Sequence, residues 1–167
     1  MKAAGYQIFI ALGSSERFGG LTPPEVVRAA ANELGSALQR ARLSPIYRSP
    51  AWPNPDDPAF ANAVLGAVAG PEPLALLDLL QSVEGRFGRA RGVRNAPRTL
   101  DLDLIDHGGR EIASDRLTLP HPRCGERDFV LKPLLDLAPL WRRPGDSAYG
   151  AALLASAPIK GAEIWSA

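Results

Sequence analysis

Between Pro97 and Ile105 the chain reads Pro-Arg-Thr-Leu-Asp-Leu-Asp-Leu-Ile. A strand sends alternate side chains to opposite faces, so Leu100, Leu102 and Leu104 enter a core while Asp101 and Asp103 emerge together on the other side. Two carboxylates on one small patch repel unless water or a cation separates them, and hard oxygen ligands at this spacing suit Mg²⁺. Arg86, Arg89, Arg91, Arg94 and Arg98 crowd the same stretch and make a polyphosphate the natural third party. A half-exposed edge strand shows the same Leu-Asp alternation, so the run by itself leaves a purely structural reading open.

Elsewhere the chemistry-bearing residues are sparser. Lysine occurs only at 2, 132 and 160, which leaves arginine to do the anion binding; about half of the five arginines above are expected to be ordinary solvated surface. Phe60 and Asn62 share one face of a strand, where a flat, nitrogen-rich heterocycle could stack on the ring and be read along its edge by the amide. A strand phenylalanine is more often core, and Phe129 suits the apolar side of a helix equally well. His121 lies between Pro120 and Pro122 and is expected exposed near a site, whereas His107 before Gly108-Gly109 reads as a turn residue. Neither histidine has zinc-like spacing, and no Ser-His-Asp arrangement stands out. The turn Gly13 to Gly20 lacks the lysine and hydroxyl residue of a Walker A loop, so it is a structural turn in which Gly13 could admit a ligand to the backbone.

These residues need a scaffold, and the apolar pattern supplies one. Gln7 to Leu12 reads as a buried first strand, too short to span a membrane and without a signal-peptide pattern. Thr22-Pro23-Pro24-Glu25 opens a helix to about Leu38, with Val26, Val27, Ala30, Leu34 and Leu38 inward. Arg42 to Arg48 forms a second strand, followed by a proline-rich loop to Pro58 that is either a connection or a lid. Phe60 to Ala69 is the third strand. Pro73 starts a helix buried through Leu74, Leu77, Leu80, Val83 and Phe87 and stopped by Gly88. The Asp101/Asp103 strand follows, then a segment from Leu117 to Pro122 that reads as a short strand breaking into a loop, and a last long helix, Asp128 to Leu137, limited by Pro133. This order is the α+β, ferredoxin-like βαββαβ arrangement, an antiparallel sheet with helices on one face and C-terminal additions.

The 167 residues suit one domain spanning 1–167, with 145–167 as a packed surface extension. Nineteen basic against 18 acidic residues argue against a general nucleic-acid or membrane-surface binder. The single Cys124 cannot form an internal disulfide and fits a cytoplasmic protein.

From about Ile8 to Pro139 the chain resembles the 6-hydroxymethyl-7,8-dihydropterin pyrophosphokinase family of folate biosynthesis. The resemblance is carried by Arg98-Thr99-Leu100-Asp101-Leu102-Asp103-Leu104, with Leu12-Gly13-Ser14, Tyr47-Arg48-Ser49-Pro50, Phe60-Ala61-Asn62-Ala63, Glu84 with Gly88-Arg89, Leu119-Pro120-His121-Pro122 and Arg127-Asp128-Phe129-Val130-Leu131 in support. It implies transfer of the terminal diphosphate of ATP to the pterin hydroxymethyl oxygen, with release of AMP. It further implies two Mg²⁺ on Asp101 and Asp103, and Arg89 and Arg98 neutralising the transferred chain. ATP would be surrounded by Gln81, Glu84, Arg91, Leu104, Arg116, Thr118, His121 and Arg127. The pterin would lie between Phe60 and Phe129, with Asn62 at its edge and Gly13, Ser49, Pro50 and Trp52 around it. Pterin and ATP are the expected partners, with no nucleic acid or membrane, and the protein is expected to be a monomer.

The chain departs from the family where Asn95-Ala96 replaces a frequent Trp-Gly, Ser15 a common asparagine, and Pro122 a frequent tyrosine; the loop before Pro97 is one residue short. Adenosine contacts are where these departures fall. A nucleotidyl transferase with paired aspartates would release pyrophosphate and leaves Phe60 and Asn62 unexplained. A non-catalytic relative would tolerate loss of Asp101, Asp103, Arg89 or Arg98, and all four are present. An RNA-binding ferredoxin-like domain would need exposed aromatics on central strands and a basic surface.

Overall fold

The computed structural model describes residues 5–89 and 98–166, so Arg91, Arg94, Asn95 and Ala96 lie outside the described residues. Its main sheet runs in the order β5 (Asp101–His107), β1 (Ile8–Ser14), β4 (Phe60–Ala67), β3 (Tyr47–Ser49) and β8 (Glu163–Ile164), with β2 (Arg42–Leu43) also paired to β4. All these pairs are antiparallel, which is the ferredoxin-like α+β order anticipated from the pattern.

The second strand is broken rather than continuous. Pro45 has no N–H for the ladder, and the Ser44 hydroxyl accepts the Val64 N–H at 2.9 Å, so the chain leaves the sheet between β2 and β3. Helix α1 (Pro23–Gly35) starts from a Thr22/Glu25 capping box and stops before Leu38, where Ser36 turns its hydroxyl back to the Glu33 carbonyl at 2.7 Å. Leu38 is nonetheless buried. Helix α2 (Pro73–Arg86) buries Leu76, Leu80 and Val83, with Phe87 just beyond it. Leu74 is 46% exposed, contrary to the expected face, because the stripe that meets the sheet begins two residues later.

Helices α1 and α2 cover one face of the sheet, with Ile8, Ile10, Leu12, Leu100, Leu102 and Leu104 in the shared core. The other face is covered too, an addition to the one-sided arrangement. There α3 (Asp128–Leu137) and α4 (Gly150–Ser156) enclose Phe9, Val64, Ile105, Leu131, Leu134 and Trp141. Pro133 sits inside α3 at the cost of one helical hydrogen bond. Strands β6 (Ile112–Ala113) and β7 (Thr118–Leu119) form a separate ribbon. His107 is not a turn residue: it closes β5, buried, with Nε2 2.8 Å from the Pro71 carbonyl. The glycines after it make the turn, with φ values of 64° and 72° at Gly108 and Gly109.

Candidate active site

The cleft is built on the sheet face opposite α1 and α2, at the end where β5, β1 and β4 stand side by side. Asp101 pairs with Gly13 and Asp103 with Ala11, while Gly13 also pairs with Asn62. Small residues on the middle strand therefore leave an open floor between an acidic edge and an amide. Two strand spacings separate those sides, about 10 Å, which matches the width of a small bicyclic ring plus a phosphate. The cleft volume is about 830 Å³.

The register of β1 and β5 slips between Phe9 and Ile10, leaving Ile105 as the extra residue of a bulge. The Ile105 carbonyl accepts the His121 N–H at 2.9 Å. That bond brings His121 Nε2 to 3.9 Å from Asp103 Oδ1. Burial lowers the His121 pKa, with Asp103 opposing; burial raises that of Asp103, helped by the Asp101 charge. The cleft walls desolvate Asp103 even though its side chain remains 40% accessible, so a ligand can still reach it.

At the β5 edge, Glu84 performs the task of a missing strand. Its Oε1 accepts the Leu102 N–H at 2.8 Å, the peptide between the two aspartates, and also pairs with Arg89 Nη1. Glu84 is 7% exposed; burial pushes its carboxyl pKa up, and the Leu102 N–H and Arg89 hold it down. Arg89 Nη1 lies 3.0 Å from Asp101 Oδ1 and Arg98 Nη1 3.1 Å from Asp101 Oδ2. Two guanidiniums thus converge on one carboxylate beside open space. Among the described residues no group of three or more His, Cys, Asp or Glu could hold a metal, so the donor set is two hard carboxylates needing further oxygens from a ligand or water. That set fits Mg²⁺, which keeps most of its shell outside the protein.

Across the floor, Asn62 is buried and donates Nδ2 to Ser49 Oγ at 2.7 Å. Its Oδ1 is turned toward Gly13, 3.3 Å from where a Cβ there would lie. An amide held this way presents fixed polarity to a heterocycle edge. Phe60 and Phe129, the latter at the start of α3, line the same cleft, and the Arg127 guanidinium carbon lies 5.7 Å from the Phe129 ring centroid.

A family model described as 7,8-dihydro-6-hydroxymethylpterin-pyrophosphokinase (HPPK) matches residues 9–139. The chain belongs to this family. It is 39% identical over 160 residues to the 2-amino-4-hydroxy-6-hydroxymethyldihydropteridine pyrophosphokinase of Pseudomonas aeruginosa, covering 94% of this chain and 95% of that one. The Haemophilus influenzae protein of the same name is 39% identical over 133 residues, 78% of this chain and 80% of its own. Among solved structures, Plasmodium falciparum HPPK-DHPS with pteroate superposes with a TM-score of 0.64 at 12% identity, covering 89% of this chain and 41% of that longer one. That last likeness is one of fold. The chain is thus a pyrophosphokinase.

This pyrophosphokinase brings nearly all the anticipated residues to one cleft. Gly13, Ser49, Pro50, Trp52, Phe60, Asn62 and Phe129 line one part, and Gln81, Glu84, Arg89, Arg98, Asp101, Asp103, His121 and Arg127 the rest. Three others stand apart from it. Leu104 points into the core beneath α1 and α2, Arg116 pairs with Asp78 on α2, and Thr118 is exposed on β7. Arg91 lies outside the described residues. Ala11, Leu77, Arg123, Val130 and Ile159 also line the cleft and were not anticipated. The small residues at Ala11 and Gly13 carried a readable signal, since a core strand rarely leaves one face so bare; Arg123 carried none.

Proposed function

We propose that this cleft transfers the terminal diphosphate of ATP to the hydroxymethyl oxygen of 6-hydroxymethyl-7,8-dihydropterin, releasing AMP, as a step of folate biosynthesis. The observation that carries this reading is the shared floor of Ala11 and Gly13, which joins the aspartate and arginine edge to the Phe60, Asn62 and Phe129 pocket. In the reaction the acceptor oxygen bonds to the β-phosphorus, the bond from that phosphorus to the oxygen bridging it to the α-phosphate breaks, and the hydroxyl proton passes to solvent. Two Mg²⁺ held by Asp101 and Asp103 would neutralise the triphosphate and polarise the β-phosphorus.

The chain's own residues do the positioning. Arg89 and Arg98 exchange their Asp101 contacts for phosphate oxygens, His121 and Arg127 line the far side of the same chain, and Gln81 and Glu84 close the nucleotide side. Phe60 and Phe129 hold the pterin ring while Asn62 reads its edge. Among the described residues no side chain is placed as a strong base, so orientation and charge stabilisation carry the rate. The proposal extends to one folded unit over 1–167 acting as a monomer in the cytoplasm. The lone, buried Cys124 suits a reducing compartment, and among the described residues no helix is long and apolar enough to cross a membrane.

The test is substitution of the acidic pair. Asp101→Ala and Asp103→Ala should each reduce pterin-dependent AMP release by about a thousandfold or more while the circular dichroism spectrum is retained. Near-wild-type AMP release from either variant would overturn the assignment.

A further inference from the structure

Arg123 is fixed at its root and open to solvent at its tip. Its N–H donates to His121 Nδ1 at 3.2 Å, and its carbonyl accepts the Glu126 N–H at 3.2 Å, opening a short 3-10 turn at Cys124–Glu126. The guanidinium carbon lies 5.7 Å from the Trp52 ring centroid, across the mouth of the cleft and within cation–π range. Among the described residues only Nε meets a carboxylate, Glu126 Oε2 at 3.4 Å, and the two terminal nitrogens have no hydrogen-bond partner. Arg127 stands in the same wall and pairs with no carboxylate among the described residues; burial and the Arg123 charge both depress its pKa. The two guanidiniums repel across one cavity; the Asp103, Asp101 and Glu126 charges offset part of that repulsion, and a polyanion bound there would offset more.

We infer that Arg123 is a nucleotide-binding residue that also positions the proline-rich loop: its terminal N–H groups bind the triphosphate beside Arg127 while its flat face holds Trp52. This rests on the proposed function, since it takes the anion to be the triphosphate of ATP. Trp52 is 53% exposed, and the Arg123 guanidinium is the cation placed over its ring. Phosphate occupancy on one side of the cleft is thereby linked to the placement of a pterin-side aromatic on the other. An arginine engaged only with Glu126 on the outer surface would show no such link.

The test is a titration of the full chain with Mg²⁺ and α,β-methylene ATP, whose α–β linkage resists the transfer, followed by tryptophan emission. Wild type should bind with an emission change that is lost in Trp52→Phe, leaving Trp141 and Trp165 as a constant background. Arg123→Gln should bind about tenfold more weakly and show no Trp52 response even at saturation, with part of the affinity recovered in Arg123→Lys. Arg123 is exposed enough for these variants to fold. Wild-type affinity and a full emission change in Arg123→Gln would overturn the inference alone; weakened binding with an intact Trp52 response would overturn its link to the loop. Failure of the wild-type chain to bind the analogue would overturn the proposed function with it.

Discussion

Gly13 has a reason to lack a side chain: a Cβ there would come within 3.3 Å of Asn62 Oδ1 and would stand on the floor that the proposed function assigns to both substrates. Gly13→Ala should leave stability within about 1 kcal/mol of wild type and raise the KM for the pterin about tenfold, as steady-state kinetics would record. Glu84 is the opposite case, a buried charge whose partners are the Leu102 N–H and Arg89. Removing it leaves the Leu102 N–H without an acceptor and Arg89 with Asp101 alone, and frees the edge of the strand that carries the aspartates. Glu84→Ala should cost about 2–4 kcal/mol in urea unfolding as well as activity.

At the scale of elements, the site depends on where strands and helices stop. Helix α2 ends so that Arg89 follows at once, through Gly88 at φ +74°, where an added Cβ would meet the Phe18 ring at 2.7 Å. Gly88→Ala should therefore destabilise the fold by about 2–4 kcal/mol, measurable as a lowered denaturation midpoint, and should displace Arg89. The Asp101/Asp103 strand was legible in the sequence because alternation is a local property, and the period-2 run of leucines reports its own burial. The break at Pro45 and the exposure of Leu74 were less so. The break follows from the Pro45 backbone and from the Ser44 bond to Val64 on a distant strand, whereas Leu74 depends on which face of α2 meets the sheet, which a single repeating apolar pattern leaves open. Arg123 and the Glu84 bond to Leu102 were invisible for the same reason: each joins residues far apart in sequence or on irregular turns, with no period to announce it.

Across the whole molecule, the tail ties the start of α3 to the β3 edge of the sheet. Asp128 Oδ2 at the start of α3 accepts the Gly161 and Ala162 N–H groups at 2.9 and 3.1 Å, and β8 then pairs with β3. Because Phe129 and Arg127 flank Asp128, this tie also sets the far wall of the cleft. Asp128→Ala should lower unfolding stability by about 2–4 kcal/mol and weaken substrate binding at a distance from the Asp101/Asp103 edge. The cleft as a whole was foreseeable from its residue types, but its shape comes from the sheet order, which brings Asp101, Gly13 and Asn62 into one row. The account stands most directly on the products of the reaction. Phosphorus NMR of the chain with ATP, Mg²⁺ and 6-hydroxymethyl-7,8-dihydropterin should show AMP and a pterin diphosphate appearing in equal amounts; formation of ADP, or of free pyrophosphate without a pterin ester, would contradict it.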